Sequence, residues 1–393
     1  MATIFNSVLS PKSDPNAARS LAFELLEGFS GQMPDLIFVF TDIDADLPGI
    51  LSAIQEVAPS EIIGATTGGG IFTNRGGIIK GLCVAGLVSD EMRIVVSHAT
   101  GISSDIDSAL ATLTEPVNEL FSEALKSDLE HGFFIFFFDP SSVDGSELVR
   151  KLRRTLPVSI QIVGAAAGDS FKFKGPKVIH NYNSFSDGIV GAAIYSKKPI
   201  SSGVAYGWEP ITIDLKITRG EGRTVHEIQG RPAIEIWKQI FDKKGIKMTP
   251  NNIQRLFAMF PIGFKSGVSS LYKIRTPIKL NDDGSVEFLS DVPQNLPVRI
   301  MSTTVQGLVE ASMKAVKKAI EGMEGTPPAG LLVLDSLPRL LVMGDKFYKS
   351  MAAINRILPV KFAGFHGYGE GYRLKVGPVG FNNATSSFIV FPK

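Results

Sequence analysis

Phe133-Phe134-Ile135-Phe136-Phe137-Phe138-Asp139 is an unbroken apolar run closed by an aspartate. A strand with one wet face alternates polar and apolar residues, whereas a run without alternation reads as a strand covered on both faces. The run is far short of the ~18–20 residues that a membrane span needs. Downstream come a helical stretch over Gly145 to Leu156, with Asp144 as its N-cap, then Pro157, a second strand and the turn Gly164-Ala165-Ala166-Ala167-Gly168-Asp169. The same order occurs twice more. Leu36-Ile37-Phe38-Val39-Phe40 and Asp42 lead through Pro59 to Gly64-Ala65-Thr66-Thr67-Gly68-Gly69-Gly70. Leu331-Leu332-Val333-Leu334-Asp335 leads through Pro359 to Gly364-Phe365-His366-Gly367-Tyr368-Gly369-Glu370. From aspartate to first turn glycine the distances are 22, 25 and 29 residues. A repeat of a whole structural unit decides architecture before any single motif does.

Outward from these strands, apolar stripes at helical spacing precede each unit, over Ala17 to Phe29, Asp105 to Lys126 and Val305 to Ile320. Helices also fit inside the units, over Pro48 to Glu56, Gly145 to Leu156 and Lys346 to Leu358. Strands follow each glycine turn, over Gly81 to Val88, Gly188 to Tyr195 and Ser387 to Phe391. The predicted fold is α/β, with repeated α-β-α-β units forming mixed sheets covered by helices. The pattern lapses between Ser201 and Pro297, which holds short alternating runs such as Ile211-Thr212-Ile213-Asp214-Leu215. One helix is predicted there, Pro232 to Asp242. A hairpin is predicted too, turning at Asn281-Asp282-Asp283-Gly284 between Ile278-Lys279-Leu280 and Val286-Glu287-Phe288. We place a domain boundary near residue 200, giving domains 1–200 and 201–393.

The 393 residues carry 40 basic and 39 acidic side chains, a net charge of +1, so no whole-molecule field draws the chain to nucleic acid or an anionic membrane. Cys83 is the only cysteine, which excludes an intramolecular disulfide and cysteine-rich zinc sites. No basic segment followed by a long apolar core opens the sequence, and the expected location is the cytoplasm.

Ligands of α/β sheets usually bind at strand-to-loop junctions, where the three glycine turns lie. Glycine admits close backbone approach, and exposed N–H groups there hold anions. Glycine at a strand end is also most often a turn requirement, so the polar residues carry the argument. The candidate binding residues are Gly64, Thr66, Thr67 and Gly68 of the first turn, and Gly164, Gly168 and Asp169 of the second. His366, Tyr368, Gly369 and Glu370 come from the third, with Arg339 and Asn383 nearby. No Gly-x-Ser-x-Gly elbow and no phosphate-binding loop occurs. The five histidines lack ligand spacing, so neither metal nor cofactor is expected, and the lone His366 gives no ground for preferring haem.

These turns resemble the signatures of the FIST family, the F-box and intracellular signal transduction proteins. Gly64 to Ile71 resembles the first family motif without its Cys and Glu, and Gly164 to Asp169 keeps the Gly-Asp of the second. Asp187-Gly188-Ile189-Val190-Gly191 and Val225 to Ala233 resemble two further stretches. Near the C-terminus, Ser336-Leu337-Pro338-Arg339 resembles Cys-x-x-Arg with Ser for Cys, Gly364 to Gly371 resembles Gly-Phe-x-x-x-Gly-Glu-Ile, and Asn383-Ala384-Thr385 matches Asn-x-Thr. The resemblance implies an N-terminal and a C-terminal FIST domain and a sensory module for a small ligand, with amino acids proposed. Some bacterial members are tied to haem and nitric oxide sensing.

The leading expectation is therefore an intracellular small-ligand sensor signalling through a separate partner protein. Arg339 would pair with a ligand carboxylate and Glu370 or Asp169 with an ammonium, while Thr66, Thr67 and Tyr368 set orientation. The alternatives are an enzyme using Glu370 or His366 as acid/base in the same cleft, or a protein-interaction scaffold.

Overall fold

The computed structural model describes residues 3–172, 175–265, 271–375 and 379–393. Its framework is three six-stranded sheets built to one plan. The first runs, edge to edge, Ile4–Ser10, Leu82–Val88, Leu36–Thr41, Ile62–Thr66, Val178–His180, Asn183–Phe185. The second runs Met92–Thr100, Gly188–Ser196, His131–Phe138, Gln161–Ala166, Glu370–Arg373, Val379–Asn382. The third runs Ser201–Ala205, Ser386–Pro392, Pro328–Ser336, Lys361–Gly367, Ile71–Thr73, Gly76–Ile78. The two central strands are parallel in every sheet, and their neighbours are antiparallel. A parallel pair needs a crossover, supplied by Leu47–Val57, by Gly145–Thr155, and in the third unit by Leu337–Met343 followed by Tyr348–Ile357.

The last two strands of each sheet belong to another unit. The hairpin after the first glycine turn (71–78) joins the third sheet, the one after the second turn (178–185) joins the first, and the one after the third turn (370–382) joins the second. The sequence reading has glycine loops at these places, because strands of three or four residues carry too short a pattern to be seen.

The inner faces of all three sheets share one apolar core, including Phe38, Phe40, Phe133, Phe137, Leu332, Phe365 and Phe391. Phe40 stacks on Phe365 with centroids 4.5 Å apart and meets Phe137 edge-on at 5.5 Å, so one ring joins three units. Each fully buried ring contributes about 1.5–3 kcal/mol by leaving water. The outer faces are covered by helices, among them Pro15–Glu27, Ile106–Ala124 and Val305–Glu321. Side chains of Asp14, Asp105 and Thr304 accept from first-turn amides of these three, as Asp144 does for Gly145–Thr155.

The third unit carries an insertion. Its first strand ends at Ala205 and its helix starts at Val305, leaving 99 residues (206–304) between them, where the other units use four (11–14) and five (101–105). The insertion has its own core around Trp237, Phe257, Phe260 and Phe288. It contains the expected hairpin, Pro277–Leu280 with Val286–Phe288, and the expected helix, Ile234–Lys243. It also contains a helix that the sequence reading lacks, Ile253–Met259.

Strand register corrects one detail of the repeat. Thr41 pairs with Thr66, Phe138 with Ala166 and Asp335 with His366. Asp42 and Asp139 therefore occupy the place of Ser336, one residue after Asp335. Asp42 and Asp139 accept from the amides of Gly81 and Asp187, each just before the next strand of its sheet. In the third unit Glu370 makes that link, accepting from the hydroxyls of Ser336 (2.6 and 2.7 Å) and Thr385 (2.6 Å).

Candidate functional site

The three glycine turns converge. The amide of Gly68 donates to the His366 carbonyl (2.6 Å), that of Gly168 to Thr66 (2.8 Å) and that of Tyr368 to Ala166 (3.1 Å), closing a ring of equivalent bonds. The packing is tight enough to explain the glycines. A Cβ on Gly168 would lie 2.4 Å from the Gly68 Cα. A Cβ on Gly64, Gly164 or Gly364 would lie 1.9, 2.2 or 2.4 Å from a carbonyl oxygen of the adjacent parallel strand. These glycines serve close approach of backbone to backbone.

Most of the sequence-predicted polar residues are spent inside this junction. Thr67 Oγ1 donates to the carbonyls of Gly70 (2.7 Å) and His366 (3.0 Å), and Thr66 Oγ1 accepts from the Lys177 amide (2.9 Å). Asn383 Nδ2 donates to the Tyr368 carbonyl (2.9 Å) and to Ser290 Oγ of the insertion (3.0 Å). Gly369 faces Phe381 and the Asn382 carbonyl at distances that exclude a Cβ. Glu370 is fully buried, and burial above all holds its carboxyl well above the ordinary carboxylate range.

Arg339 departs most from expectation. Its Nε donates to Asp335 Oδ1 (2.7 Å) and its Nη2 to Ser312 Oγ (2.7 Å), with the side chain fully buried. The carboxylate it meets is the chain's own. The helix Leu337–Met343, absent from the sequence reading, turns Arg339 back onto Asp335 at i, i+4 spacing. His366 is 2% exposed, with Nδ1 3.2 Å from the Gly70 carbonyl oxygen and its ring against Phe347 (4.6 Å) and Phe72 (5.1 Å). Burial, its largest influence, lowers its pKa.

Asp169 and Tyr368 lead out of the junction. The Tyr368 hydroxyl donates to Asp169 Oδ1 (2.6 Å) and accepts from the amide of Phe171 (2.7 Å). Burial first, then the bond to Asp169, raises the phenol pKa. Phe171 stacks on the Tyr368 ring at 5.5 Å and 22°. It does so from a left-handed backbone, with φ of +56° at both Ser170 and Phe171. Two such residues in succession store strain of the kind found at ligand-binding turns. Beside them opens a cleft of about 320 Å³ between the sheet framework and the insertion. Asp169, Phe171 and Tyr368 form its framework side, and Arg223, Ile278 and Leu289 its insertion side. Arg223 is about one-third exposed, donates to the Pro140 carbonyl (2.7 Å) and lies 3.8 Å from Asp291. Sequence reasoning missed it because it comes to this cleft from the insertion, a separate part of the chain from Asp169, and its own hairpin tip at Gly222 carries no recognisable motif.

Residues 35–231 match the FIST N domain and residues 233–373 the FIST C domain. The chain belongs to the FIST family. FIST domains are associated with sensory roles in signal transduction. An uncharacterized protein of Methanocaldococcus jannaschii is 22% identical over 303 residues, 74% of this chain and 58% of that protein. The FIST chain thus spans less than two thirds of the curated relative it matches. Among solved structures, a cyanuric acid hydrolase from A. caulinodans aligns over the whole of both chains at 8% identity and a TM-score of 0.37. T. maritima PurL in complex with FGAR aligns over 99% of this chain and 72% of its own, at 11% identity and a TM-score of 0.23. Likeness at these scores carries no argument about activity.

His366 Nε2 has no hydrogen-bond partner among the described residues, but the ring is 2% exposed and lies against Phe72 and Phe347, which leaves no open face for a haem. Among the described residues no group of three or more His, Cys, Asp or Glu side chains is arranged to hold a metal ion, and no helix is long and apolar enough to cross a membrane.

Proposed function

We propose that this FIST protein is a sensory module that binds a small zwitterionic metabolite, of the amino-acid class, in the Asp169–Tyr368–Arg223 cleft and signals through a separate partner. The observation that carries the reading is the cleft itself. It opens beside Asp169 of the second turn and Tyr368 of the third, has Arg223 on its insertion side, and carries the rings of Phe171 and Tyr368 in its lining. Its size sits at the lower end of small-molecule pockets, which are mostly apolar with a few placed polar groups. Arg223 takes the carboxylate, the role first expected of Arg339, and Asp169 with the Tyr368 hydroxyl orients the ammonium. Because the insertion supplies Arg223 and the framework Asp169, a ligand bridging them biases how the insertion seats. That is the differential contact a sensor needs.

The experiment is thermal unfolding of the full chain against a panel of amino acids, the matching amines and the matching carboxylic acids. A ligand at about 100 times its Kd adds roughly 2.7 kcal/mol. The expected result is a dose-dependent rise with one or a few amino acids that is lost in Arg223→Ala. A rise unaltered in both Arg223→Ala and Asp169→Asn would remove this cleft as the site.

A further inference from the structure

The insertion leaves and rejoins the framework at one place. Tyr206-Gly207-Trp208 follow the strand Ser201–Ala205, and Ser302-Thr303-Thr304 lead back into the helix Val305–Glu321. A groove of about 660 Å³ opens between these segments and shares no lining residue with the Arg223–Asp169 cleft. Its floor is kept low by small groups. Gly207 has φ of +86°, and a Cβ there would come within 3.1 Å of the Ala311 Cβ and the Gly307 carbonyl. One wall is apolar, formed by Ile211 and Leu271, which are 42% and 41% exposed.

The lysines of its rim give the groove a chemical preference. Lys314 and Lys318 stand one helical turn apart on its rim, both exposed, and neither has an ion pair among the described residues. Trp208, which lines the groove, is 6% exposed and its indole Nε1–H is buried without an acceptor. The other indole, Trp237, donates to the Phe260 carbonyl at 2.8 Å. An indole N–H can only donate, and a buried donor left unmade costs about 1–3 kcal/mol. The Trp208 Nε1 has no accessible surface, so the indole reports on what occupies the groove rather than binding it. Glu310 on the same rim disfavours a second negative charge.

We propose that this groove is a second small-molecule site, taking an amphipathic monoanion. The apolar body lies on the Ala311 floor against Ile211 and beside Trp208, and the anionic head sits at Lys314 and Lys318. The pocket size is in the range of drug-sized ligands, and the lysines' charge selects a carboxylate or sulfonate over a neutral molecule of the same shape.

The test uses the full chain labelled with nitrogen-15 and decanoate as the probe, following the two indole N–H signals, with Trp208→Phe assigning them. The expected result is a saturable shift of the Trp208 signal with the Trp237 signal unmoved. The double variant Lys314→Glu/Lys318→Glu should weaken decanoate at least about tenfold, roughly 1.4 kcal/mol. Arg223→Ala should leave it unchanged, which separates this site from the cleft. A Trp208 signal that decanoate does not move would overturn the proposal, as would decanol binding as tightly as decanoate.

Discussion

Arg339 Nε donates to Asp335 Oδ1 across 2.7 Å, and neither side chain is more than 2% exposed. Removing one member of a buried pair leaves the other as an uncompensated charge, which costs about 3–5 kcal/mol. Arg339→Ala should therefore lower stability by about that amount in urea unfolding. The double variant Arg339→Met/Asp335→Leu, which removes both charges and refills the space, should recover most of it. Stability unchanged in Arg339→Ala would mean the pair is open to solvent.

Glu370 should make stability fall as pH rises. Its folded pKa is held well above the ordinary value of 4.5, chiefly by burial. The folded state thus keeps a proton that the unfolded state has lost. The contribution is fully present below about pH 4.5, and it declines as pH climbs from there towards the folded pKa. Glu370→Gln copies the protonated form, so the melting temperature of the variant should fall less steeply over that window. Parallel curves for the two proteins would refute this.

Cys83 lies fully buried between strands of the first sheet, and burial raises its thiol to about 12. Only the thiolate attacks alkylating reagents. In native protein at neutral pH, iodoacetamide labelling should be limited by unfolding and should accelerate through the urea transition. Rapid labelling without urea would show that the first sheet opens locally.

Gly168→Ala should act from the centre of the turn ring. The added methyl would sit 2.4 Å from the Gly68 Cα, and backbone cannot swing aside as a side chain can. A cost at or above the usual 1–3 kcal/mol of overpacking is expected from chemical denaturation. A cost below 0.5 kcal/mol, about that of a surface change, would mean the ring is looser than described.

The repeat was legible because its parts are long. Phe133 to Phe138 and the helical stripes each carry enough residues for their period to show, and the order of three glycine turns identified the family. The hairpins that complete each sheet were not legible, since Ile71–Thr73 and Val178–His180 have three residues each and pair with strands over 100 residues away. The same limit applied to the site. Asp169 and Tyr368 were readable as polar residues in glycine turns, and they do line the cleft. Arg339 and Glu370 were equally polar in equally promising positions, yet their partners, Asp335, Ser336 and Thr385, keep them inside. Which polar side chain faces a cleft depends on strand register and on a helix that nothing local announced. Arg223 lines the same cleft as Asp169 only because the insertion folds back beside the second turn.

The exchange of hairpins also sets a timetable for synthesis. The first sheet lacks its outer strands until residue 185 has emerged, and the second until residue 382. The third must wait for its own strands long after the hairpin at 71–78 has left the ribosome. An N-terminal half therefore emerges with an open sheet edge and an unclosed apolar face, a state prone to aggregate. The strands between residues 361 and 392 finish the second and third sheets, so the apolar faces of both stay open until these strands emerge.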